Sequence, residues 1–171
     1  MKTLEKTKNY YNAIAKGYKE LYHLEQIQKI NLVKNYIPKE GKILDLGSGD
    51  GVLNQYIENK DELISIDSSK ELLNLNSNKK ENKIVGDICN LNFKENSFDY
   101  ICSFTVIQDV YDIKKALLEI KRIIKENGQI ILSFLKKSNN KEIIINLIEK
   151  EFKIIKIIEE EKDFIYILKK N

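Results

Sequence analysis

Three glycines and four acids carry whatever chemistry this chain performs. Gly47, Gly49 and Gly51 alternate within Ile43-Leu44-Asp45-Leu46-Gly47-Ser48-Gly49-Asp50-Gly51. An apolar strand that runs into alternate glycines leaves bare backbone where a ligand can approach closely. Asp45 sits inside the strand and Asp50 inside the turn. Carboxylates there repel a pyrophosphate and suit a ligand carrying positive charge. Asp67 follows about twenty residues after Gly47, the spacing of an acid that accepts hydrogen bonds from ribose hydroxyls. Asp87 comes next, flanked by Gly86 and Ile88. A carboxylate there can accept from an adenine amino group while Ile88 lies against the ring.

The elements that position these residues read as an alternation. A tyrosine-rich helix over about 6–22 comes first. An amphipathic helix follows, with Leu24, Ile27, Ile30, Val33 and Ile37 on one face and Pro38 and Gly41 at its end. Strands are expected at 42–46, 63–66, 83–85, 98–104 and 129–134. Helices are expected at 52–57, at 70–75 capped by Ser69, and from Asp112 to Asn127-Gly128 along Ile113, Ala116, Leu117, Ile120, Ile123 and Ile124. Ile143, Ile144, Leu147 and Ile148 mark one more. The runs 152–158 and 164–168 are too close for a crossover and pair as an antiparallel hairpin. Alternation of this kind builds a parallel sheet with helices on both faces and ligands at the carboxyl ends of the strands. The short third strand is expected at the sheet edge. At 171 residues the chain has the length of one domain, with residues 1–40 a helical cap and 41–171 the core.

Several cofactors use a glycine turn. A dinucleotide fingerprint would place its third glycine at position 52, which is Val52; the glycine is at 51. A P-loop is excluded because no Gly-Lys-Ser/Thr follows. S-adenosylmethionine has a sulfonium and an ammonium and no phosphate, and it suits Asp45 and Asp50. A nicotinamide oxidoreductase and a non-catalytic binding subunit remain as rivals from other classes.

At this point the chain resembles the class I S-adenosylmethionine-dependent methyltransferases, of the type 11/25 kind, over nearly its whole length. Gly47-Ser48-Gly49-Asp50-Gly51 is similar to that family's first motif, Asp67 to its ribose acid and Gly86-Asp87-Ile88 to its adenine motif. Asn96 to Ile101 resembles the run into its fourth strand, Thr105 to Val110 the loop after it, and Glu126 to Ile130 the turn into its fifth. Tyr11-Asn12-Ala13-Ile14-Ala15-Lys16-Gly17-Tyr18 resembles an N-terminal helix that lies over the cofactor, with Asn12 in place of that motif's Asp. The resemblance implies an α/β, three-layer Rossmann-like fold. Its sheet would be mostly parallel and seven-stranded, with an antiparallel C-terminal hairpin. It implies S-adenosyl-L-methionine bound by Asp45, Gly47, Ser48, Gly49, Gly51, Asp67, Ser68, Asp87, Ile88 and Thr105, with Tyr11 and Tyr18 either closing the site or packing the helix.

Methyl transfer needs a base only if the acceptor must lose a proton early, and no residue stands out as that base. His23, the one histidine, reads as a surface or helix-end residue. Asp109 either faces the acceptor or caps the next turn, and the cap is the expectation. No Asn/Asp-Pro-Pro-Tyr/Phe run follows the fourth strand, which disfavours base-amino methylation of that kind. Cys89 and Cys102 read as packing residues; their spacing indicates neither zinc nor a disulfide framework. Net charge is +3, from 29 basic and 26 acidic residues, which gives no strong nucleic-acid footprint. No apolar run reaches membrane-spanning length and the first residues lack a signal-type core, so a cytoplasmic protein is expected. The acceptor, whether small molecule, RNA or protein, is not readable. Few residues separate the last strands, so cover over the site falls to the N-terminal helices, the loop 105–111 or a partner. A small activator protein at the edge of the third strand is one such partner.

Overall fold

A computed structural model describes residues 3–37, 39–76 and 82–171. Its centre is a seven-stranded sheet in the order β3-β2-β1-β4-β5-β7-β6. The strands are β1 (Ile43–Leu46), β2 (Leu63–Asp67), β3 (Asn82–Val85), β4 (Phe98–Phe104), β5 (Ile124–Leu135), β6 (Phe152–Glu159) and β7 (Asp163–Lys170). Pairing is parallel from β3 to β5 and antiparallel for β7 with both β5 and β6. The terminal hairpin and the edge position of β3 match expectation.

Side-chain alternation along the strands builds two cores. Leu44, Leu46, Ile101, Ile130, Leu132, Tyr166 and Leu168 face one side, where α4 (Ile113–Ile123) and α5 (Lys141–Glu151) cover them. Ile43, Cys102, Ile131, Ile165 and Ile167 face the other, beneath α2 (Leu24–Val33). A period of two in the strands thus meets a period near 3.6 in the helices. Asp112 caps α4 by accepting from Lys115 N at 2.9 Å, and Ser69 caps α3 (Lys70–Leu75) by accepting from Leu72 N at 3.1 Å.

Four local expectations are corrected. The N-terminal segment is one continuous helical run: α1 (Leu4–Tyr18), a π-helical turn (Lys19–His23) and α2. The wide turn rotates the apolar stripe, so Leu24 is 73% exposed while Ile30 and Val33 are buried. Ile37 is buried, but it lies past the helix, after the 3₁₀ turn Lys34–Tyr36. The role given to Pro38 falls outside the described residues. Val52–Tyr56 is a 3₁₀ turn rather than an α-helix. Finally, α4 stops at Ile123, and Asn127-Gly128 lies within β5. The carbonyls of Arg122 and Ile123 accept from Asn96 N (3.1 Å) and Ser97 N (2.8 Å), so the chain leaves the helix early. Ile124 then pairs with Phe98. No helix among the described residues is long and apolar enough to cross a membrane.

Candidate functional site

The carboxyl ends of β1 and β2 are joined through backbone. Gly47 N and Ser48 N both donate to Ile66 O, at 2.7 and 3.0 Å. Gly49 N donates to Asp67 Oδ2 at 2.9 Å, and Ser69 N to Asp67 Oδ1 at 2.8 Å. Asp67 is therefore fixed from two sides, and burial pushes its carboxyl above the ordinary carboxylate value in spite of those amides. Gly86 N donates to Asp67 O and brings the end of β3 alongside. Gly47 and Gly51 both have positive φ, and neither has room for a side chain. A Cβ on Gly47 would meet Val106 at 2.4 Å, and one on Gly51 would meet Asn76 at 2.2 Å.

A cleft of about 650 Å³, partly open to solvent, lies over these strand ends. Gly47, Asp67, Ser68, Asp87, Ile88 and Thr105 line its floor and sides, with Tyr11 and Tyr18 of α1 above. Asp87 Oδ1 accepts from Cys89 N at 2.8 Å and Oδ2 from Tyr111 Oη at 2.9 Å. Asp45 and Ser48 line a smaller adjoining hollow of about 320 Å³, also partly open to solvent, which shares Tyr18, Gly47 and Phe104 with the first. Ser48 Oγ is buried there with no hydrogen-bond partner among the described residues. Gly49 and Gly51 line neither cavity: Gly49 serves Asp67, and Gly51 packs on Asn76.

Cover comes from α1 and the loop 105–111. Thr7 Oγ1 donates to Asp109 O at 3.2 Å, and Tyr11 Oη donates to Asp109 Oδ2 at 3.1 Å. Asp109 thus faces the cleft, which corrects the expectation of a cap; Asp112 is the cap. Burial, then the Asp109 charge, pushes the Tyr11 phenol far above its ordinary value; burial, then Asp67, does the same to Tyr18. Both are neutral donors. His23, expected at the surface or a helix end, is the last residue of the π turn and half-buried, and its Nδ1 lies 2.6 Å from Asp50 Oδ2. The carboxylate read as attracting a ligand is engaged by the helix instead.

Thr105 lines the cleft with φ +60°, yet its hydroxyl turns inward. It donates to Asp163 Oδ2 (2.8 Å) and accepts from Lys29 Nζ (2.7 Å). Lys29 is fully buried, and its ammonium also meets Glu25 (2.8 Å) and Asp163 (3.1 Å). This pins α2 to the ends of β4 and β7. Sequence reasoning missed Lys29, Tyr111 and the His23–Asp50 pair. Apart from Lys29–Glu25, each contact joins residues far apart in the chain, and a lysine in an amphipathic helix reads as solvated.

This sheet order, with acids at the ends of β1, β2 and β3, defines a class I methyltransferase fold. A family model described as a methyltransferase domain matches residues 44–132, just over half of the chain, and the chain belongs to that S-adenosylmethionine-dependent family. The family match sets the nicotinamide alternative aside. An uncharacterized protein of Methanocaldococcus jannaschii is 31% identical over 156 residues, covering 87% of this chain and 59% of that protein. The chain spans about half to three fifths of the length of the curated relatives it matches first. In fold it is similar to an S-adenosyl-L-methionine-dependent methyltransferase candidate from Methanococcus maripaludis, with TM-score 0.77 and 19% identity, covering 100% of this chain and 95% of that one. It is also similar to a chain from the complex between the Haloferax volcanii Trm112 methyltransferase activator and a methyltransferase candidate. There the TM-score is 0.74 at 15% identity, covering 94% and 97%.

Proposed function

We propose that the two adjoining cavities hold S-adenosylmethionine and that the chain transfers its methyl group to an acceptor bound beneath α1. The observation that carries the reading is Asp67, a buried carboxylate held by two backbone amides at the floor of the cleft. Each of its oxygens keeps acceptor capacity for a ribose hydroxyl. Asp87 with Ile88 takes the adenine end, and Ser68 lies beside the ribose. Gly47 and Thr105 give the nucleoside its backbone wall. Asp45 and the orphaned Ser48 hydroxyl suit the cationic amino-acid end, with Gly49 and Gly51 shaping the turn from behind. Tyr11 and Tyr18 close the site from above.

When bound, the cofactor supplies a methyl group on a sulfonium, and in-line displacement asks the protein mainly for position and a dry site. The half-buried, neutral phenols of Tyr11 and Tyr18 shield the site from water and supply donors without opposing charge. Thermal shift tests the reading. S-adenosylhomocysteine is expected to raise the melting temperature by several degrees and NAD to leave it unchanged; the reverse order sinks it. The cytoplasm suits such a protein, because the buried thiols of Cys89 and Cys102 are free.

One observation favours a second reading, a catalytic subunit with a small activator protein. β3 is an edge strand that exposes Ile84 (39%) and Val85 (52%). An edge of that kind invites strand addition by a partner. A Val85→Lys change should then abolish activator-dependent activity and spare activity of the chain alone.

A further inference from the structure

A second cleft of about 1290 Å³, open to solvent, adjoins the first and shares Tyr11, Tyr18, Thr105 and Asp109 with it. One wall is aromatic. Tyr10, Tyr11, Tyr18 and Tyr22 follow one another along α1 and the π turn, with successive ring centroids 5.2, 6.4 and 5.1 Å apart. Such rings offer negative faces to a cation.

The polar groups on this wall also favour a cation. Asp109 stands where the two clefts meet, and Tyr11 and Gln108, both uncharged, donate to it at 3.1 and 3.2 Å. Gln26 lines this cleft and also the smaller hollow beside Asp45, and its Oε1 is buried between them with no hydrogen-bond partner among the described residues. That is an acceptor waiting for a donor. After burial, Asp109 acts most on the Tyr11 phenol and Asp67 on that of Tyr18, so acidic side chains stand close to both rings. Lys162 and Lys6 also line the cleft, but Lys162 is held on Glu25 at 2.7 Å and Lys6 lies on an exposed stretch of α1.

We infer that this cleft binds the methyl acceptor and that the acceptor is a small primary or secondary amine on an aromatic or apolar body. The inference rests on the cofactor reading above. The ammonium form binds against the tyrosines and Asp109 and gives its proton to water at the open mouth. The free amine's lone pair then forms the N–C bond to the cofactor's methyl group. The C–S pair returns to sulfur, leaving a neutral thioether and a methylated ammonium.

Calorimetry with 2-phenylethylamine and its neutral counterpart 2-phenylethanol tests this, with the full chain alone and with S-adenosylhomocysteine present. The amine is expected to bind at least tenfold more tightly than the alcohol. Asp109→Asn is expected to remove most of that preference. Should that variant fail to fold, Tyr22→Leu on the outer wall is expected to weaken the amine at least threefold. Equal affinity for amine and alcohol, or no amine binding by a chain that binds S-adenosylhomocysteine, overturns the inference. Loss of S-adenosylhomocysteine binding alone overturns the cofactor reading instead, and the titration of the chain alone still decides the amine.

Discussion

The glycine loop and helix α1 face each other across one cleft and are held by different forces. Backbone amides tie the loop to β2, through Ile66 O and Asp67. Helix α1 buries only Ala15 among its residues and reaches the opposite loop through the side chains of Thr7 and Tyr11. A loop tied through backbone is formed before a ligand arrives. A helix held by two side-chain hydrogen bonds, worth roughly 1 kcal/mol each, and by packing on α3 is the more weakly tied of the two. On the proposed reading the difference sets a rigid half on the cofactor side and a half expected to move more readily on the acceptor side. Between them stands the π turn, where His23 meets Asp50, and behind it the buried Lys29 anchors α2.

Breaking that anchor gives the largest expected effect. Lys29→Met leaves Asp163 and Glu25 without a buried cation and should cost about 3–5 kcal/mol in chemical denaturation. Gly51→Val attacks the rigid half. Its φ of +80° and the overlap with Asn76 should together cost about 2–4 kcal/mol and weaken cofactor binding in the same variant.

Glu119 sharpens the comparison on the rigid side. It accepts from Leu91 N at 2.9 Å and from Arg122 at 2.8 Å, and Arg122 in turn donates to Phe93 O and Leu91 O, clasping the segment that follows Asp87. The Arg122 guanidinium is the main cause that lowers its carboxyl below the ordinary 4.5. A lowered folded value stabilises above the unfolded one, and the gain is lost as pH falls through the folded value. Glu119→Gln should therefore cost about 1 kcal/mol at pH 7, with the deficit vanishing as pH drops below the ordinary carboxylate range.

The smallest effect concerns the movable half. Gly17 lies in the last turn of α1, and a Cβ there would meet nothing within 4 Å. Gly17→Ala should stabilise the helix by about 0.5–1 kcal/mol and slow amide exchange across α1 without changing exchange at the glycine loop. Equal slowing in both regions would show that they open together.

The rigid half is legible in the sequence; of the other half, helix α1 and its place over the site are legible and its long-range contacts are not. Apolar runs around Asp45 and before Asp67 and Asp87 announce strands whose acids gather at the carboxyl end of the sheet, and Ser69 and Asp112 announce helix starts through their own side chains. These are local signals. The π turn has none, because Tyr18 to Leu24 reads as ordinary helix. The pairs His23–Asp50, Tyr111–Asp87 and Lys29–Asp163 depend on chain segments that meet after the sheet has formed. Asp109 reads as a cap for the same reason: its partner, Tyr11, lies at the far end of the sequence.

The central claim is that a preformed, backbone-tied Asp67 holds the nucleoside of the cofactor. Calorimetric titration of S-adenosylhomocysteine into the wild-type chain and into Asp67→Ala tests it most directly. The account predicts tight binding to the wild type and none detectable to a folded Asp67→Ala; unchanged affinity in that variant would contradict it.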